Sequence, residues 1–149
     1  MTMLEGELAH LLMALMDRQK ANFMRVVAMH DLSPPQFQAL RRLHLEGSMP
    51  MSDLAERMAC DASNVTGISD RLEARGLVTR VPHPHDRRVK TLVLTPEGEK
   101  VAQAVFADLV AHGWAQDLEP DERLVMRDLL RKVVGADHPY NDPIVQQGG

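Results

Sequence analysis

Apolar residues recur at helical intervals along most of this chain, and the pattern changes to a strand-like one only near its middle. Leu4, Leu8, Leu11, Leu12, Leu15, Met16, Phe23, Val26 and Val27 fall three, four or seven apart, with no proline before Pro34. This predicts one N-terminal helix of about 25 residues. Thr2 and Glu5 have the spacing of a capping box at its start. Ser33-Pro34-Pro35 restarts the chain as a second helix, a serine cap followed by proline in the first turn, where no amide hydrogen bond is lost. Phe37, Leu40, Leu43 and His44 carry it to Gly47, with His44 expected as a partly buried helix histidine. Met49-Pro50-Met51 reads as a short extended link able to add a third strand. Ser52 is the expected cap of a short helix over 53–58, with Leu54, Ala55 and Met58 inward.

Residues 61–95 carry the change of period. Asp61 is placed to cap a helix in which Val65, Ile68 and Leu72 face inward. Ser63, Asn64, Thr66, Gly67, Asp70 and Arg71 then face outward, a surface of mostly small polar groups that leaves room for a partner. Gly76 sits where a left-handed residue ends a helix at little cost. Residues 77–81 and 90–94 are β-rich runs, and His83-Pro84-His85-Asp86-Arg87-Arg88 lies between them as a charged hairpin tip. A helix with a small polar face followed by a basic hairpin suits a reader of duplex DNA. Thr95-Pro96-Glu97 opens another helix, with Val101, Val105, Phe106, Leu109 and Val110 running toward Trp114. A last helix starts at Glu119-Pro120 and presents Leu124, Val125, Leu129, Leu130 and Val133. The run from 135 to 149 has no periodicity and is expected to be irregular.

Composition changes this picture in three ways. The net charge of −4 and pI near 5.9 would not by themselves suggest a nucleic-acid binder. The charge is unevenly spread, however: residues 57–90 hold seven Arg or Lys against four Asp or Glu, a local +3, and residues 101–134 hold four against six, a local −2. Aromatic residues make up only 3%, and ten methionines supply much of the missing bulk, which favours an adaptable core or pocket. A single cysteine, Cys60, excludes an intrachain disulfide and fits a reducing compartment. With no apolar run of membrane-spanning length and an acidic start, the expectation is a cytoplasmic protein without a leader.

The segment Asp86-Arg87-Arg88-Val89-Lys90-Thr91-Leu92-Val93-Leu94-Thr95 fits a D-x-R, five residues, L-T pattern. Ser63-Asn64-Val65-Thr66, Asp70-Arg71-Leu72 and Arg75-Gly76-Leu77-Val78 precede it in order. Together these resemble the winged helix-turn-helix of the MarR family of bacterial transcriptional regulators, and the match runs from about residue 33 to residue 100. The resemblance implies a mainly α fold with a small β-hairpin wing (α+β). Its expected parts are an N-terminal dimerisation helix over 1–32, a DNA-binding lobe over 33–95 and C-terminal dimerisation helices over 96–134. It also implies a homodimer on a pseudo-palindromic double-stranded DNA operator, and more readily a repressor than an activator. Ser63, Asn64, Thr66, Gly67 and Arg71 fall on the recognition helix. Arg88 takes the place of the wing arginine that enters the minor groove. Asp86 is expected to brace it, with Arg87, Lys90 and Arg80 on phosphates. Family members are released by small phenolic or amphipathic effectors, for which Met13, Met16, Phe37, Leu40 and Trp114 are candidate lining residues and equally ordinary core.

No phosphate loop, nucleophile motif or metal-ligand cluster appears, so no catalytic residue, metal or cofactor is expected. His83 and His85 lack an evident third ligand. His30, His44 and His112 could meet in space, a geometry that the sequence does not establish. Cys60 occupies a turn position expected to pack inward. A redox- or metal-responsive regulator, or a ligand-insensitive one, remains the alternative within the same fold. A winged-helix module for protein partners would not need the Arg87, Arg88 and Lys90 cluster.

Overall fold

The computed structural model of the chain describes residues 2–135. Along the chain run α1 (Met3–Met29), α2 (Pro34–Glu46), β1 (Met49–Pro50), α3 (Met51–Arg57), α4 (Ala62–Ala74), β2 (Val78–Pro82), β3 (Lys90–Leu94), α5 (Pro96–Ala111), a 3-10 turn (Trp114–Asp117) and α6 (Pro120–Val134). The expected irregular run after 135 lies outside the described residues. Two compact units result, Met1–Gly113 and a second that begins at Trp114.

Helix starts are set by local chemistry. Thr2 and Glu5 form the reciprocal capping box, and Ser33 forms another with Gln36. Thr95 accepts from the Gly98 amide at 3.0 Å while its own hydroxyl donates to the Gly76 carbonyl at 2.6 Å, tying the start of α5 to the end of α4. The Glu119 amide donates to Glu122 Oε2 at the start of α6. Ser52 is a correction. It lies inside α3, which starts at Met51 with Pro50 as its cap residue and no side-chain cap bond. Pro50, with φ −56° held by its ring and ψ 149°, stands in the cap position in place of a serine.

In the first unit, Val26 and Val27 of α1, Phe37, Leu40 and Leu43 of α2, Leu54 of α3, Val65 and Leu72 of α4, Leu92 of β3 and Val105 of α5 form one buried core. Phe23 meets Phe37 with ring centroids 5.7 Å apart. Only the C-terminal end of α1 enters this core. Leu4, Leu8, Leu11, Leu12 and Met16, on its N-terminal half, are all more than half exposed. The sheet has order β1-β3-β2 and is antiparallel throughout, with Met49 opposite Leu92 and Arg80 opposite Leu92 on the other side. The short extended link therefore does become a third strand.

The second unit carries its own exposed apolar row, Leu124, Val125 and Leu129 on α6, and Trp114 opens its 3-10 turn instead of extending α5. Among the described residues no helix is long and apolar enough to cross a membrane.

Candidate nucleic-acid interface

Helices α3 and α4 are joined by a tight turn over Met58–Asp61 in which Ala59 has φ +51° and the Cys60 amide donates back to the Ala55 carbonyl. Cys60 packs partly buried against the core, the inward placement expected of it. Asp61 then caps α4 by accepting from the Asn64 amide at 2.8 Å. The Ser63 hydroxyl donates to the same carboxylate oxygen at 2.7 Å. These bonds, the Ser63 hydroxyl first and the Asn64 amide next, hold the Asp61 carboxyl below the usual carboxylate range.

The outward face of α4 is as small and polar as its sequence implies, but its groups are not equally available. The Thr66 hydroxyl donates to the Ala62 carbonyl at 2.9 Å, and Ser63 is engaged with Asp61. Among the described residues the side-chain amide of Asn64 has no partner, and it is exposed. A free carboxamide can pair two ways with an adenine edge in the major groove. A Cβ built on Gly67 would meet nothing within 4 Å, so the space over this turn of α4 is open. Arg71 is exposed near the end of the helix. Ser69, which the helical pattern did not single out, is fully buried beside Val65 and Leu72, and its hydroxyl has no hydrogen-bond partner.

Arg80 departs most clearly from the sequence-based expectation. Its guanidinium does not project toward a phosphate. Nη2 donates to Asp70 Oδ1 at 2.5 Å and to the Thr66 carbonyl at 3.3 Å, and Nη1 lies 3.7 Å from Glu73 Oε1. Glu73 Oε2 also accepts from the Arg80 backbone amide. Wing and recognition helix are thus joined by a charged clamp whose arginine is only 23% exposed.

At the wing tip, the His83 amide donates to Val89 O at 2.9 Å, closing the hairpin. Asp86 braces Arg88, though through the backbone: Asp86 Oδ1 accepts from the Arg88 amide at 3.0 Å, an Asx-type turn that leaves the guanidinium free. Among the described residues the charged ends of Arg87, Arg88 and Lys90 have no hydrogen bond or ion pair, and all three residues are exposed. By contrast Arg42 and Arg57 are both paired with Glu46, bracing α2 against α3. The wing thus presents three cations, and none of them is drawn into a protein contact among the described residues.

Within the first unit, the candidate effector residues Met13, Met16, Phe37 and Leu40 do not share one surface. Phe37 and Leu40 are 2% and 0% exposed in the core and show no surface on which a ligand could sit. Met13 and Met16 stand on the exposed half of α1, and from Met16 to Phe23, which reaches Phe37, is about 10 Å along the helix. Trp114 belongs to the second unit. The histidines are spoken for separately: His30 by Asp108, His44 by Glu99, His112 by a backbone carbonyl, and His83 by the His85 amide. Among the described residues no group of three or more His, Cys, Asp or Glu is placed to hold a metal ion.

Known proteins share this arrangement. Residues 32–90 match the family model described as MarR family. The HTH-type transcriptional repressor NicR of Pseudomonas putida is 31% identical over 133 residues, which cover 88% of this chain and 84% of NicR. A MarR family protein from Bacillus stearothermophilus has a similar structure, with TM-score 0.75 and 29% identity over 86% of this chain and 91% of the other. BpsR of Bordetella bronchiseptica, whose DNA binding is regulated by 6-hydroxynicotinic acid, aligns with TM-score 0.62 and 30% identity over 87% and 99% of the two chains. The chain belongs to the MarR family of winged helix-turn-helix transcriptional regulators.

Proposed function

We propose that this regulator is a repressor that binds a pseudo-palindromic operator as a homodimer and is released by a small amphipathic or phenolic ligand. The observation that carries DNA binding is the partition of its cations. Arg42, Arg57, Arg75 and Arg80 are spent on carboxylates or backbone carbonyls, whereas among the described residues Arg71 on α4 and Arg87, Arg88 and Lys90 at the wing have no such partner. Unpaired cations on a hairpin bind phosphates and narrow grooves. In this reading Arg88 enters the minor groove and Arg87 and Lys90 contact phosphates. Asn64, with Ser63 and Thr66, faces the bases, and Arg71 reaches the backbone near the end of α4.

Dimer formation is supported by the leucines and methionines on the N-terminal half of α1 and by Leu124, Val125 and Leu129 on α6, apolar rows that their own units leave exposed. Residues 1–32 and 96–134 would then be the dimerisation segments. NicR is a transcriptional repressor, and the DNA binding of BpsR is regulated by 6-hydroxynicotinic acid, a hydroxylated aromatic acid. A ligand of that class must bind the DNA-incompetent arrangement more tightly than the competent one to act. The setting would be the cytoplasm, where an operator is found.

The test is binding of the purified protein to its own upstream intergenic DNA across a salt series, beside Arg88→Ala. Sequence-specific binding that falls steeply with salt and weakens in the variant supports the proposal. Sequence-indifferent or absent binding rejects that operator. Adding phenols and hydroxypyridine carboxylates to a bound complex then tests release.

A further inference from the structure

The C-terminal end of α1 is held on two sides by contacts that the DNA interface does not use. His30 is the cap residue of α1 and Asp31 lies just beyond it, so neither carbonyl has a donor within the helix. Arg75, the cap residue at the end of α4, fills that need. Its Nη1 donates to the Asp31 carbonyl at 2.6 Å and its Nη2 to the His30 carbonyl at 3.1 Å. On its other side the His30 imidazole Nε2 lies 2.7 Å from Asp108 Oδ2 on α5. The turn between them is well defined. Asp31 sits at φ +55°, and the Leu32 amide returns to the Val27 carbonyl at 3.2 Å.

This places one guanidinium between the recognition helix and the helix that carries the exposed leucines. α4 spans 13 residues, about 20 Å, so a 10° pivot at its Arg75 end would move the other end by about 3 Å, close to one base-pair step. In a two-fold dimer the separation of the two recognition helices follows from how rigidly each is attached to the dimer helices.

We propose that Arg75 is a positioning residue that sets this separation, by clamping the exit of α4 onto the terminal carbonyls of α1. The proposal rests on the dimeric DNA-binding reading above. A planar fork suits two adjacent carbonyls, and an ammonium can meet them only as a point charge. Arg75 therefore controls which half-site spacing is accepted, without itself touching DNA.

The experiment uses a duplex selected from a random pool by the wild-type protein, and the same duplex with one base pair inserted or removed at its centre. Wild-type protein should strongly prefer the selected spacing. Arg75→Ala, still dimeric by sedimentation and still melting cooperatively, should lose about fivefold or more of that preference with an unchanged salt slope. Arg75→Lys should fall between the two. If Arg75→Ala does not fold, Arg75→Gln, which can donate to one carbonyl, carries the same expectation. An unchanged spacing preference in the variant overturns the proposal. So does an equal loss on all three duplexes with a shallower salt slope, which would mark Arg75 as a phosphate contact. A wild-type protein that is monomeric, or indifferent to spacing, instead fails the dimeric reading itself.

Discussion

Arg80 on the first long strand of the wing donates to Asp70 on the recognition helix at 2.5 Å, and this bond takes from the DNA-binding surface a cation that its sequence position offers to it. The pair fixes the angle between wing and helix. Asp70 is 58% exposed, so screening keeps its contribution small, and Asp70→Ala should cost about 1 kcal/mol of stability by denaturant titration. DNA affinity should fall in Arg80→Ala with no change in the slope of log affinity against log salt, because no phosphate contact is lost. A slope reduced by about one would return Arg80 to the phosphate contacts.

Arg88→Ala should behave in the opposite way. Its guanidinium has no protein partner among the described residues, so melting should be unchanged. Operator affinity should fall by about 1–3 kcal/mol if Arg88 makes a good groove contact. Calorimetry measures the first effect and fluorescence anisotropy on labelled duplex the second. Unaltered affinity would remove Arg88 from the interface.

Two glycines separate folding from function. A Cβ on Gly98 would lie 2.0 Å from the Leu77 carbonyl oxygen and 2.9 Å from Leu94 Cδ1, where backbone cannot readily give way. Gly98→Ala should therefore destabilise the fold by about 1–3 kcal/mol or more. Gly67→Ala meets nothing within 4 Å and should leave stability unchanged or raise it by about 0.5–1 kcal/mol. If α4 approaches the groove at this point, the same alanine should lower DNA affinity. A stable Gly67→Ala with undiminished affinity would show that the turn faces solvent in the complex.

The Asp61 cap gives a pH dependence of known sign. The folded state favours the ionised carboxylate, since the Ser63 and Asn64 donors lower its pKa. The cap's contribution is therefore fully present above the ordinary carboxylate range and is lost as pH falls through the lowered value. The difference in melting temperature between wild type and Asp61→Ala should be largest near neutrality and shrink toward about pH 3. A difference that stays constant over that range would mean that the charge plays no part in the cap.

Local chemistry was legible in the sequence because its causes are local. The Thr2–Glu5 box, the caps at Ser33, Asp61 and Thr95, and the stop at Gly76 each depend on residues within a few positions, and the structure contains all of them. The inward triad Val65, Ile68 and Leu72 followed from period, the β-hairpin from two β-rich runs around a charged tip, and the D-x-R wing from resemblance to the MarR family. What tertiary structure decided is the partner of each charge. Arg80, Arg88 and Arg75 look equally available in the sequence. Their fates differ because Asp70 and Glu73 pair with the guanidinium of the first, and no carboxylate or carbonyl among the described residues pairs with that of the second. The third meets the end of α1, 44 and 45 residues away in sequence. Long-range pairing depends on how helices cross, and helical period does not encode a crossing. Phe37 and Leu40 differ from Met13 and Met16 for the same reason: all four belong to apolar stripes, and only packing buries one pair and leaves the other exposed.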